Sequence, residues 1–244
     1  MKKLGVLIIG REYFLPYVSW LTSMDGQEFE ISGYIDNEDD IYASHIGTRY
    51  TEKRNNYTLE ELVTNSDMIL SLGYWRIIPK EIIDASPMGI LNLHHSYKLQ
   101  YRGRHTVSWA IINEEKFHGT TLHYMSKALD DGPILSSRKV PISPDDTAFT
   151  LFTRVNDVGL TMLKEMLPIA LDPERVKHVK LQQPDERYSL YKKNDLKHEI
   201  PSTMLADDKT FAKHVRALTF PGMPPPYVIM NGIKIYLSAD SPKQ

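Results

Sequence analysis

An amide, an imidazole and a carboxylate stand at punctuation points in the stretch Leu91–Leu135 of this 244-residue chain. An apolar run stops at Asn92-Leu93-His94, and the acid pair Asp130-Asp131 is followed by Gly132. Side chains two apart on a strand leave it on the same face, so Asn92 and His94 project together. Asparagine donates hydrogen bonds without charge, histidine moves protons near neutral pH, and a carboxylate favours the charged imidazole. Together they suit a proton-transfer site. Taken singly, each has a plainer reading. A strand-end Asn and an Asp-Asp-Gly run commonly form turns, and His95, His105, His118 and His123 show that histidine is frequent here.

These residues need elements to position them. Leu4–Ile9 is a continuous apolar run bounded by Gly10, which reads as a strand buried on both faces. A helix is expected over Tyr13–Met24, with Pro16 near its start where proline is tolerated. A second strand spans Phe29–Ile35 and ends at the turn-prone Asp36-Asn37. Thr58 and Glu61 fit a capping box for a short helix to Asn65. Met68–Leu72 reads as a strand, Pro79–Ala85 as a short helix with proline at its first turn, and Gly89–Leu93 as a further strand. This alternation predicts an α/β fold: a Rossmann-like open, mostly parallel sheet with helices on both faces. Ligands of such sheets bind outside the carboxyl ends of the strands, which puts Gly10-Arg11, Gly73–Arg76 and Asn92–His94 on one rim. Gly10 lacks the later glycines of a dinucleotide fingerprint, so that ligand is not supported.

Further along, Asp145 or Asp146 is expected to cap a helix running to Ala170, with Phe149, Phe152, Val155, Leu160, Met162, Leu163 and Met166 as its core face. Asp207-Asp208 caps another helix to Leu218, and Asn231-Gly232 turns a hairpin over Tyr227–Leu237. The expected division is an α/β catalytic domain over 1–175 and a small C-terminal region with the hairpin over 176–244.

A hydrophobic content of 41% and a charged content of 25% are those of a soluble globular chain, and a net charge of −2 argues against nucleic acid or a membrane surface as partner. No apolar run approaches the roughly 20 residues that span a bilayer. The start of the chain imitates a leader only faintly, because its apolar run falls short of the roughly 7–15 residues of an h-region and no cleavage site follows. A cytoplasmic location is the expectation. The absence of cysteine excludes disulfides, thiolate metal sites and cysteine nucleophiles.

The segments Asn92-Leu93-His94, Tyr101-Arg102-Gly103, Gly119-Thr120-Thr121-Leu122-His123 and Leu129-Asp130-Asp131-Gly132-Pro133-Ile134 carry a resemblance. In order and spacing they resemble the formyltransferase family that uses 10-formyltetrahydrofolate. The likeness covers residues 68–142. It implies Asn92, His94 and Asp130 as catalytic residues, with Asp130 rather than Asp131 as the acid. It also implies that the turn Tyr74, Trp75, Arg76, Ile77 and Ile78, together with Asp131 and Gly132, holds the folate. Ser96, Tyr97, Lys98, Arg102, His105 and Trp109 are the candidates for binding the second substrate. Arg76 and Arg102 also read as ordinary surface ion pairs, and Trp75 and Trp109 as core. At His95 and Leu99 the family often carries proline, and this chain does not.

The chemistry fits the residue types. An amine attacks a formyl carbon, Asn92 donates to the resulting oxyanion, His94 takes the amine proton or helps hold the oxyanion, and Asp130 favours the charged imidazole. Neither a metal nor a covalent intermediate is needed. The family's glycinamide ribonucleotide enzymes carry a Gly-Asn-Gly-Ser-Asn loop where this chain has Gly10-Arg11-Glu12-Tyr13, and its transfer RNA enzymes carry a longer, basic C-terminal barrel. A chain of this layout is similar to the nucleotide-sugar N-formyltransferases. The resemblance implies a nucleotide-linked amino-dideoxy sugar as acceptor, with dTDP-4-amino-4,6-dideoxyglucose favoured, in O-antigen or lipopolysaccharide biosynthesis, and a homodimer joined through the C-terminal region. The alternatives are a formyltransferase for glycinamide ribonucleotide or another small amine, and a non-catalytic folate or nucleotide-sugar binding protein.

Overall fold

The computed structural model describes residues 1–8, 12–36 and 57–239. The expected turn at Gly10-Arg11 and the residue Asn37 lie outside the described residues. In the first part of the chain strands and helices alternate: β1 (Lys3–Ile8), α1 (Leu15–Met24), β2 (Glu30–Asp36), α2 (Leu59–Thr64), β3 (Met68–Leu72), α3 (Lys80–Ala85) and β4 (Ile90–His94). Thr58 and Glu61 form the reciprocal capping box at α2, as their spacing predicts. Pro79 sits one position earlier than expected, as the residue before the first turn of α3.

With β6 (Phe117–Tyr124) and β7 (Ile134–Pro141), these strands make a six-stranded sheet in the order β2-β1-β3-β4-β6-β7. The pairs β1–β2, β1–β3 and β3–β4 are parallel, and β6 runs antiparallel to β4. Alternate residues of β1 serve opposite faces. Leu4, Val6 and Ile8 pack with Tyr17, Val18 and Leu21 of α1, while Leu7 packs with Leu62 and Val63 of α2 and Ile82 of α3. Strands buried on both sides explain the unbroken apolar runs. The direction of succession reverses between β1 and β3, the switch point at whose carboxyl edge such sheets bind ligands.

The chain packs as two units. One comprises residues 1–94, 121–137 and 159–184; the other comprises 95–120, 138–158 and 185–244. Three of the boundaries fall within β6, β7 and the helix α5 (Ala148–Ala170), and the other two follow His94 and Pro184. That division corrects the expected core face of α5. Met162, Leu163, Leu167 and Ala170 join the sheet core of the first unit, whereas Leu151 and Val155 pack with Val107, Ile111, Val140 and Ala217 in the second. Leu151 and Leu167 are buried where Phe149 and Met166 are only partly so, because two stripes serve two cores. The cap is corrected too. Thr147 and Thr150 exchange backbone-to-hydroxyl bonds of 3.0 and 3.1 Å, so Thr147 caps α5. Asp146 instead accepts the Ser143 amide at 2.6 Å and both terminal nitrogens of Arg154.

The second unit also holds β5 (Tyr101–Gly103) paired parallel with β8 (Ser189–Tyr191), α4 (Thr106–Ile112), α7 (Asp208–Leu218) and the hairpin β9 (Tyr227–Met230) and β10 (Ile233–Tyr236). The short α6 (Pro173–Val176) follows α5 in the first unit. Asn231 and Gly232 both have positive φ, 49° and 76°, as the expected two-residue hairpin turn requires. Among the described residues no helix is long and apolar enough to cross a membrane.

Candidate active site

β3, β4 and β6 place Ser71, Asn92 and His123 in one row, each opposite the next across the ladder. Paired positions in a sheet share a face, so these three polar side chains lie side by side on one face. Asn92 is 8% exposed and His123 1%. The Asn92 Nδ2 lies 3.1 Å from His123 Nε2, and His123 Nδ1 lies 3.0 Å from the Tyr124 carbonyl oxygen. A carbonyl only accepts, so Nδ1 carries the proton, Nε2 accepts, and the Asn92 amide group donates. The amide is therefore held with its NH2 towards His123, and its second N–H is left for a ligand. Sequence reasoning passed over His123, since an imidazole in a buried strand-like run has no partner until the antiparallel register is known.

His94 follows on the same face, opposite Thr121. Its Nδ1 stands 3.7 Å from Asp130 Oδ1, with both side chains about nine-tenths buried. Asp130 is directed there by its backbone, which is left-handed at φ 46°. Asp tolerates that region better than most residues. Gly132 allows the return. A Cβ there would meet the Tyr124 carbonyl oxygen at 1.7 Å. The loop between β6 and β7 is pinned at its ends by Met125 N to Ile90 O at 2.7 Å and Tyr124 N to Pro133 O at 2.9 Å.

The turn after β3 is the third component of this unit. Gly73 has φ 67°. Ile78 is buried, and Tyr74 packs against the same cluster. Burial pushes the Tyr74 phenol above its ordinary value, with Arg76 opposing. Trp75 is 44% exposed and Ile77 90%, and the Arg76 guanidinium stands 5.8 Å from the Trp75 ring. Asn92, His94, Asp130, Asp131, Gly132 and the turn Tyr74–Ile78 all belong to the first unit, with Asn92 and His94 at the carboxyl end of β4 and the turn following the carboxyl end of the adjacent β3.

The remaining candidates lie in the second unit. Ser96 is fully buried and its hydroxyl accepts the Tyr101 amide at 2.8 Å, which is a loop-building role. Tyr97 meets Phe117 edge-on, and Lys98 and Leu99 are both left-handed, at φ 48° and 58°. A proline cannot adopt such a φ, which accounts for its absence at Leu99. Arg102 is 5% exposed with its guanidinium 3.6 Å from the Tyr188 ring centroid. Trp109 stacks on Tyr191 at 4.2 Å. Tyr188 and Tyr191 were not among the expected residues, because the pairing of β5 with a strand some ninety positions later leaves no local sequence signal.

Residues 40–167 match the family model described as Formyl transferase. A methionyl-tRNA formyltransferase of Lysinibacillus sphaericus is 36% identical over 116 residues, covering 47% of this chain and 37% of that protein. The matches thus span less than half the length of such curated relatives. A 4-N formyltransferase from Francisella tularensis has the same fold, with a TM-score of 0.83 at 17% identity, covering 100% of this chain and 99% of that one. An N-formyltransferase from Helicobacter canadensis, solved with folinic acid and dTDP-3-aminofucose, superposes with a TM-score of 0.73 at 18% identity, covering 96% and 86%.

Proposed function

The chain belongs to the formyl transferase family, and on that premise we propose that it transfers the formyl group of 10-formyltetrahydrofolate to the amine of a nucleotide-linked amino-dideoxy sugar. The observation that carries the reading is the Asn92 amide, oriented by His123 and set on the same strand face as the His94–Asp130 pair. In the proposed reaction the sugar amine attacks the formyl carbon. The free N–H of Asn92 donates to the tetrahedral oxyanion, an interaction worth about 10²–10³ in rate at comparable sites. His94 accepts the amine proton, Asp130 stabilises the imidazolium, and collapse expels N10 of the folate, which takes up a proton. Tyr74–Ile78 supply the folate wall. Support for the co-substrate and acceptor comes from the Helicobacter relative with its folinic acid and dTDP sugar. The 4-N activity named for the Francisella protein agrees with dTDP-4-amino-4,6-dideoxyglucose as the first acceptor to try, and surface-glycan synthesis is the setting we propose for it.

In this reading residues 1–175 carry the transfer, residues 176–244 pair two copies through the hairpin, and the enzyme works in the cytoplasm. Initiator methionyl-tRNA is the second reading, favoured by the 36% identity to the tRNA enzyme. The test is incubation with 10-formyltetrahydrofolate and, separately, a panel of nucleotide amino sugars, glycinamide ribonucleotide and charged initiator tRNA. Formylated sugar is expected. Product with the ribonucleotide or the tRNA alone would overturn the sugar assignment, and folate binding with no product from any amine would make the chain a binding protein.

A further inference from the structure

β5 and β8 end together, with Gly103 opposite Tyr191 and the Arg104 amide donating to the Tyr191 carbonyl at 2.9 Å. Gly103 has φ 82°, and a Cβ there would lie 2.2 Å from the Tyr191 oxygen, so glycine alone lets the strands close this tightly. Because the pairing is parallel, the residues that follow emerge side by side: Arg104-His105 from one strand and Lys192-Lys193 from the other. Like charges brought together repel, and folding alone gives no reason to assemble them. His105 is also left-handed, at φ 58°, a conformation of the kind that accumulates at ligand sites.

The imidazoles are held in place. His105 hydrogen-bonds the Lys193 backbone and His198 the Pro224 backbone. This leaves His198 Nδ1 buried without a protein partner. The groups bearing on His105 are Arg104, Lys193 and the imidazole of His198, each cationic when protonated. Carboxylates of the neighbouring segments already accept hydrogen bonds. Asp195 accepts the Lys192 amide at 2.7 Å, Asp185 accepts the Gln100 side chain at 2.9 Å, and Glu199 accepts the Tyr227 hydroxyl at 3.3 Å.

We propose that Arg104, His105, Lys193 and His198 form a subsite for the diphosphate of a nucleoside diphosphate. Arg104 and Lys193 bring positive charge, and each imidazole, with one N–H given to a backbone carbonyl, presents a second nitrogen that donates to a phosphate oxygen as imidazolium, the form a bound diphosphate favours. The ligand's identity rests on the nucleotide-sugar reading, whereas the cluster itself does not. Calorimetric titration of the full chain with dTDP and with inorganic pyrophosphate tests it, using wild type, Lys193→Gln, His198→Gln and His105→Asn, the last because asparagine accepts positive φ. Each variant should weaken dTDP by about tenfold and raise the acceptor KM alike, as loss of one charge-assisted bond does. Turnover and the folate KM should stay within about twofold, since the lost contact is uniform binding. Matched thermal melts exclude misfolding. Sugar formylation with unaltered affinity in all three variants would overturn the subsite and leave the transferase reading standing. Pyrophosphate binding that the variants abolish, without formylation of any sugar, would uphold the subsite and remove that reading.

Discussion

At Asn92 the direction of every hydrogen bond follows from the Tyr124 carbonyl at the far end of the relay, which can only accept. His123 must then accept from Asn92, and the amide cannot flip without leaving the imidazole nitrogen facing an oxygen. Asn92→Ala is therefore expected to lower kcat by about 10²–10³ while folate affinity, read by equilibrium titration, changes little. His123→Ala leaves the amide free to rotate and should cost kcat about tenfold. In the double variant the losses should fall short of adding, since both act through one group. Equal turnover in wild type and Asn92→Ala would remove the assigned role. Gly132 is the other residue whose chemistry is decided by one atom. Gly132→Ala drives a methyl into the Tyr124 carbonyl and should destabilise the fold by about 3 kcal/mol or more, measured by denaturant unfolding.

Elements show how local rules and packing share the work. The α2 capping box and the Asn231-Gly232 hairpin turn were legible because each depends on a few neighbouring residues. The start of α5 was misassigned because aspartate and threonine cap equally well in principle, and only the bonds from Ser143 and Arg154 to Asp146 show which residue is already occupied. Thr147→Ala should cost about 1 kcal/mol, or roughly 2–4 °C in melting temperature, for the lost cap. Asp145→Ala, at an exposed position, should cost nothing comparable. The hairpin exposes Ile229, Met230, Ile233, Ile235 and Tyr236. If it joins two copies as proposed, Ile233→Lys should turn a dimer into a species of 28.1 kDa in light scattering. An unchanged mass would place the interface elsewhere.

For the whole molecule, acidity reports on the buried imidazoles. Burial, with neighbouring like charge, holds His105 below its ordinary value, and burial does the same for His198. The unfolded chain then binds protons that the folded chain resists as pH falls through about 6.5, so the stability present above that pH is progressively lost below it. The melting temperature should fall between pH 7.5 and 5.5, and by less in His105→Asn. Equal falls would show that His105 titrates as it does in the unfolded chain. By itself the sequence determined the α/β alternation and the strand-end placement of Asn92 and His94, whereas the preference for Asp130 over Asp131 is what the family resemblance implies. Apolar runs and turn residues act over a few positions, so their reading needs no partner. Tertiary structure alone decided that His123 orients Asn92, that α5 serves two cores, and that Arg104-His105 meets Lys192-Lys193. Each of these depends on which strand or core lies alongside, and contacts between distant positions are set by register and packing rather than by any residue's neighbours in the chain.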